Sequence, residues 1–268
     1  MSSLKKQLNR EYTPVSDAEA KKYLQHFGYI QPSHVLHGVN EVMSDFQDLK
    51  DTFKIAISKF QKFVGLDVTG ELDFATKKKM AEPRCGVSDV KISSTVREAS
   101  FKWNKQNLTY VITYFSTDLS RDDVRSAIRK AFDTWSQVVP LYFTEIAPNA
   151  SADFKIEFAW SDHADGHPFD KRGGILAHAF FPPDGRIHFD EAEHWAYMDT
   201  NKIANGYVDL LAIAIHEIGH ALGLEHSENR YSIMAPYYLS TVDVKGNYNA
   251  PKLISSDIKA IQTIYGPK

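Results

Sequence analysis

The run HEIGHALGLEH, residues 216–226, decides how the rest of the 268-residue chain is read. On a helix, residues four apart lie one turn apart on the same face, so His216 and His220 can aim two imidazoles at one ion. Zn²⁺ suits such nitrogen donors in tetrahedral geometry, with one position left open where chemistry is done. Glu217 sits beside the first histidine and can reach water at that open position, first as general base and then as proton donor. Gly223, three residues past His220, tolerates the left-handed backbone that ends a helix, so the chain can turn back and His226 can supply a third nitrogen. Residues 207–215 are largely apolar, as suits a helix buried behind the site. The short pattern HExxH is only moderately specific. The long pattern HExxHxxGxxH, followed eight residues later by Met234 in SIMAP, is far more demanding.

The surrounding chain divides in two. Of eleven histidines, three precede residue 38 and eight fall between His163 and His226, so the metal-binding chemistry belongs to the C-terminal part. Residues 16–83 read as a small helical domain. Ser16 and Glu19 form a capping-box pattern opening a helix to about Phe27. Phe53, Ile57 and Phe60 recur at helical spacing in a second helix from about Leu49 to Val64, stopped at Gly65. The loop GLDVTGELD leads to a third, short helix ending near Met80. After a polar stretch, Thr109–Tyr114 alternates as a strand and Ser120 caps a helix to about Val138. Further strands are expected at Asp153–Ala159, Leu176–Phe181 and Arg186–Phe189. A helix over Tyr207–Leu222 carries the metal motif, and a last one starts near Ser255. Alternating strands and helices predict an α/β layered domain.

Composition excludes several classes. Hydrophobic residues make up 43% of the chain, enough for sizeable cores, so wholesale disorder is excluded. The net charge of -3 is spread without a basic stripe, which argues against nucleic acid, and no apolar run is long enough to span a bilayer. The first residues, MSSLKKQLNREYTPVSD, lack the apolar region of a signal peptide. The single cysteine, Cys85, excludes an intrachain disulfide.

The constellation resembles the metzincins and, within them, a matrix metalloproteinase zymogen without a haemopexin domain. The resemblance runs from Ala18 to Gly266 through KYLQHFGYI, GLDVTGELD, PRCGVSD, KWNKQNLTY, LAHAFF, HFDEAEHW, the metal motif and IQTIYG. It implies a helical prodomain over residues 1–85 resembling a peptidoglycan-binding domain, an activation linker over 86–101 and a catalytic domain over 102–268. That last domain would hold a twisted, mostly parallel sheet with three main helices. The implied activity is zinc-dependent hydrolysis of peptide bonds in extracellular matrix or other extracellular proteins, by a secreted monomer. Partners would be protein substrates, an activating protease and tissue-inhibitor-type proteins. A catalytically silent zinc-binding scaffold is the alternative, disfavoured by the presence of Glu217. Other metzincin branches are disfavoured by the lone cysteine in PRCGVSD.

Residue by residue, the resemblance implies that Cys85 fills the fourth zinc position until the linker is cut within about Ser94–Phe101. Arg84 and Asp89 would pair to stiffen that latch, where Ser88 replaces the usual proline. Met234 would form an apolar floor under the zinc. A second, structural zinc would be held by His163, Asp165, His178 and His188, and calcium by Asp170, Asp190 and Glu193. The short loop PPDGR weakens the case for a further calcium site at Asp153. Ala177 and Ala179 would pair with an antiparallel substrate strand. Ala212, Pro236, Tyr237 and Tyr238 would shape the pocket for the residue after the cleaved bond. The new N-terminus would seek the first of two aspartates in the last helix, where this chain has Ser256 before Asp257.

Overall fold

In a computed structural model, residues 12–30, 44–90 and 101–268 are described. The expected activation cut therefore falls almost entirely outside the described residues. The chain forms two compact units: one is Pro83–Gly86 with the C-terminal portion, the other is the helical portion with the segment from Val87 onward.

The helical unit holds α1 (Asp17–His26), α2 (Ser44–Phe63) and α3 (Phe74–Met80). Ser16 and Glu19 make the reciprocal capping box, with the Ser16 N–H donating to Glu19 Oε2 at 2.7 Å. Helix α2 begins at Ser44, about five residues before the expected start near Leu49; Phe46, at helical spacing from Leu49 and Phe53, carried the signal for the earlier start. Its Gln61 explains the loop GLDVTGELD. The buried amide donates to Thr69 Oγ1 and Thr76 Oγ1 at 2.8 and 2.9 Å and accepts from the Gly70 N–H at 2.9 Å. A fully satisfied buried amide fixes a loop that apolar contacts could not. Residues after Gly86 attach to this unit: Ser88 Oγ lies within hydrogen-bond reach of Phe27 O and Val90 O (3.0 and 2.9 Å), and Tyr29 Oη donates to Asp89 at 2.8 Å.

The larger unit is a six-stranded sheet. Its strands are β1 (Arg84–Cys85), β2 (Asn107–Tyr114), β3 (Tyr142–Glu145), β4 (Phe154–Ala159), β5 (Ile175–Ala179) and β6 (Arg186–Asp190), in the order β1-β5-β6-β4-β2-β3. Pairing is parallel except between β5 and β6, matching the expected mostly parallel sheet. Three helices complete it: α4 (Arg121–Ser136), α6 (Leu210–Ala221) and α7 (Ser255–Tyr265). The short helix α5 (Thr200–Ala204) and the two-residue ladder of β7 (Trp195–Ala196) with β8 (Val208–Asp209) were not readable from periodicity, being too brief to show one.

Helix α6 is buried on every side, and the rest of the unit is arranged to satisfy it. Trp135 on α4 is fully buried and donates its indole N–H to Ile215 O at 2.9 Å. At the far end, Trp103 Nε1 donates to Ala221 O at 2.9 Å and Tyr265 Oη to Leu222 O at 2.8 Å, capturing carbonyls that a helix end leaves without partners. The Gly223 N–H reaches His220 O at 2.8 Å and the Leu224 N–H reaches Gly219 O at 2.9 Å, which is the Schellman pattern, with Gly223 at φ +102°. A Cβ at Gly223 would also fall on the carbonyl oxygen of Phe101. Gly266 caps α7 at φ +79° with open space around it. Gly266→Ala should therefore cost about 1–2 kcal/mol, the penalty of its φ +79°, ψ 164° backbone alone. Gly223→Ala should cost about 3 kcal/mol or more, because a backbone clash is added. Denaturant melts of the two variants check this, and equal losses would contradict it.

Candidate metal centre

Histidine placement follows from how α6 begins and ends. Asp209 caps its first turn by accepting the Leu211 N–H at 3.3 Å, so the helix starts three residues later than expected from apolar content. His216 and His220 then stand one turn apart, with their Nε2 atoms 3.0 Å from each other. Each Nδ1 faces a backbone carbonyl at 2.7 Å: Ile233 O for His216 and Leu224 O for His220. A carbonyl can only accept, so both Nδ1 atoms carry the proton and both Nε2 lone pairs point inward. The Schellman turn thus ends the helix and orients a donor at once. After that turn the His226 ring comes within 4.6 Å of the His220 ring and 5.3 Å of the His216 ring.

Cys85 completes the group: a donor atom from each of Cys85, His216, His220 and His226 lies within 4.8 Å of every other. Burial pushes His216 down to about 3, with His226 adding to the effect, and His220 is lowered well below its ordinary value by burial and the same neighbours. Neutral imidazole nitrogens and a cysteine sulfur crowded together are a donor set of the type that suits Zn²⁺. Glu217 is fully buried on the same helix, and burial lifts its pKa to about 8, with the Cys85 side chain acting in the opposite direction.

Strand β1 carries Cys85 by pairing on two sides. The N–H groups of Arg84 and Gly86 donate to Gly174 O and Ala177 O, each at 2.8 Å, and the Cys85 N–H donates to Pro236 O at 2.8 Å. Tyr238 N–H donates to Pro83 O at 3.1 Å, and the Arg84 guanidinium lies 5.1 Å from the centre of the Tyr237 ring. Ala177, Pro236, Tyr237 and Tyr238, expected to meet substrate, thus hold this segment. Ala179, like Ala177, pairs with β6 on one edge, opposite Ile187. Ala212 lines a cavity of about 330 Å³ beside His216 and Glu217, closed on the other side by Tyr238, Ser240 and Thr241.

Met234 is buried beneath the site, its sulfur seated where a Cβ on Gly219 would otherwise be. The segment is pinned by Asp257, which accepts from Ser232 Oγ and from the Ile233 N–H at 3.2 Å, while Ser232 Oγ accepts the Met234 N–H at 2.9 Å. Since Ile233 O orients His216, Asp257 reaches the histidine group through that one residue. Sequence reading missed this role, and an isolated acid in a helix's first turn offers no local signal for it.

A second group forms at His163, Asp165, His178 and His188. Asp165 Oδ2 lies 2.9, 2.8 and 2.8 Å from His163 Nε2, His178 Nε2 and His188 Nδ1. Burial would raise Asp165, but the His167 N–H and His178, with the charges of His178 and His163, outweigh it and hold the carboxylate well below its usual range. Burial drives His178 down to about 3 against the pull of Asp165. Asp170, Asp190 and Glu193 form a looser acidic group. Burial raises Asp190 to about 6 and Glu193 to about 7, and Asp190 Oδ2 is buried without a hydrogen-bond partner. Glu193 accepts the Gly173 N–H, and Asp170 accepts the Ile175 N–H at 3.0 Å. Asp153 is already committed, to Lys105 at 2.7 Å and to the Thr109 N–H at 2.8 Å.

With this geometry in place, the likeness to known proteins is informative. Residues 102–266 match the matrixin family model, and residues 16–80 match one described as a putative peptidoglycan binding domain. Matrix metalloproteinase-C of Caenorhabditis elegans is 51% identical over 96% of this chain and 45% of its own length. Metalloendoproteinase 1-MMP of Arabidopsis thaliana is 38% identical over 93% of this chain and 69% of its own. Macrophage metalloelastase of Rattus norvegicus is 39% identical over 94% and 51%. The chain thus spans about half the length of the nematode and rat relatives. It belongs to the matrixin family of peptidases, whose members carry zinc, and both histidine groups fit that ion by donor type.

The two groups predict two zinc ions per chain after dialysis, measured by elemental analysis. His178→Ala and His226→Ala should each leave one. Wild type holding fewer than two would contradict the assignment.

Proposed function

We propose that this matrixin is the latent form of a zinc endopeptidase, secreted and directed at extracellular matrix or other extracellular proteins. The observation that carries the reading is the approach of Cys85 to His216, His220 and His226. In this proposal residues 1–85 are the prodomain, 86–101 the activation linker and 102–268 the catalytic domain. Zinc is held by the three histidines, with a structural zinc at His163, Asp165, His178 and His188, and calcium at Asp170, Asp190 and Glu193. The carboxylates there are hard oxygen donors whose buried charge otherwise lacks compensation.

Zinc bound by three neutral imidazoles supplies Lewis acidity toward water and a peptide carbonyl. Glu217 takes the proton from water as its oxygen adds to the scissile carbonyl carbon. It then returns the proton to the amide nitrogen, the C–N bond breaks, and an acid and an amine leave. A carboxylate placed beside the reacting water can accept the proton and later donate it within one cycle. Met234 keeps the floor apolar, and His216 and His220 are held in their donating tautomer by Ile233 O and Leu224 O.

Latency follows from the same contacts. A thiolate is a stronger zinc donor than water, so Cys85 on the fourth position excludes the nucleophile. Its strand takes up backbone partners that a substrate would need, at Ala177 and Pro236. It also runs parallel to β5, whereas a substrate is expected antiparallel. The latch thereby fills the cleft without offering a peptide bond in the serviceable direction. Ser88, in place of a rigid proline, is compensated by its hydrogen-bond reach to Phe27 O.

A quenched collagen-like peptide tests the reading. The full chain should be silent, and limited proteolysis should release activity. Glu217→Ala should lower the trimmed enzyme's kcat by at least ~100-fold with zinc retained. Cys85→Ser should give activity without trimming. No hydrolysis by trimmed, zinc-loaded wild type would overturn the proposal and favour a silent zinc-binding scaffold.

A further inference from the structure

Asp209 is fully buried, stands seven residues before His216, and does more than cap α6. Its Oδ1 accepts the Leu211 N–H at 3.3 Å. Its Oδ2 accepts from Thr241 Oγ1 at 2.9 Å and from Tyr248 Oη at 2.7 Å. Its own backbone N–H donates to Tyr238 Oη at 3.0 Å.

Thr241 and Tyr248 stand on opposite arms of one hairpin. The arms are joined by the Val242–Tyr248 bridge, by the Asn249 N–H to Thr241 O at 2.7 Å, and by the Asp243 N–H to Asn247 O at 3.0 Å. One carboxylate therefore clasps both arms while its other oxygen holds the first turn of the helix. The cavity of about 330 Å³ lies between those elements: Ala212, Ile213, His216 and Glu217 form the helix side, Tyr238 and Thr241 the hairpin side.

Ala212 is too small to fill the space from the helix side, so the cavity's width depends on where the hairpin is held. Burial raises Asp209, and Tyr248 and Thr241 oppose that by donating to it. The hydroxyls lose a strong acceptor, and the acceptor its donors, if either partner is removed.

We propose that Asp209 is a positioning residue that sets the width of this cavity and, through it, the enzyme's selectivity for a large apolar residue just after the cleaved bond. This rests on the peptidase reading above. Asp209 touches neither substrate nor metal. It acts through Tyr238 and Thr241, so its loss should change discrimination between substrates more than the chemical step.

The test uses two quenched peptides differing only in the residue after the scissile bond, leucine or alanine, with the full chain opened by limited proteolysis. Asp209→Ala should lower kcat/KM for the leucine peptide by ~10-fold or more, mainly through KM, and for the alanine peptide by less than ~3-fold. Bound zinc should be unchanged. Asp209→Asn should restore most of the preference, because its amide oxygen can still cap Leu211 and its NH₂ can donate to the hydroxyls. Tyr248→Phe, which leaves the helix cap intact, should shift the ratio in the same direction, and it carries the test if Asp209→Ala fails to fold. Equal losses on both peptides, or an unchanged ratio in Asp209→Ala and Tyr248→Phe, would overturn the inference while leaving the peptidase reading intact. Wild type that cleaves neither peptide would overturn both.

Discussion

The turn at Gly223 is the constraint on which the rest of this molecule depends. It must end a wholly buried helix, reverse the chain and leave no backbone group stranded. The Schellman bonds from Gly223 and Leu224 do the first two. Trp103 and Tyr265 complete the third, arriving from opposite ends of the larger unit's sequence. The same turn delivers Leu224 O to His220 and brings His226 around to the other two imidazoles. A residue with a Cβ would fail here twice, by backbone conformation and by collision with Phe101.

Within the larger unit, the structure collects groups that repel or desolvate one another. Three imidazoles and a thiol converge in one place, three imidazoles and a carboxylate in another, and Asp190 and Glu193 are buried with raised pKa values. In the first group the Nε2 lone pairs of His216 and His220 face each other, and Asp190 Oδ2 is buried without a hydrogen-bond partner, so hydrogen bonding alone does not offset these costs. In the proposed reading, bound cations turn each cost into a gain. In the proposed latent state the first cation also ties Cys85, and hence β1, to the cleft. Control of activity then comes down to which donor holds one coordination position.

The first histidine group was legible in the sequence because helical spacing and residue chemistry are local. HEIGHALGLEH fixes its own geometry through the i, i+4 rule and Gly223, and the four second-site residues came from the family resemblance. The small helices were legible through Ser16, Glu19 and Gly65. What escaped reading acts across the fold. Asp257 orients His216 through Ser232 and Ile233, and Asp209 joins α6 to a hairpin more than thirty residues later. An aspartate just before an apolar run is a helix-start signal, so the cap at Asp209 could have been found, though not its second grip. Strands β1, β7 and β8 have two residues each and show no period. Their existence depends on partners that only the tertiary fold supplies.

In the proposed latent state one sulfur, from Cys85, completes the first histidine group in the uncut chain. Cobalt substituted for zinc reports this directly, since a thiolate ligand gives an intense charge-transfer absorption in the near ultraviolet and the second group contains no sulfur. That band is expected in the full chain, absent in Cys85→Ser, and lost when limited proteolysis releases activity. A cobalt-loaded full chain without the band, or one that keeps it after activation, would contradict the account.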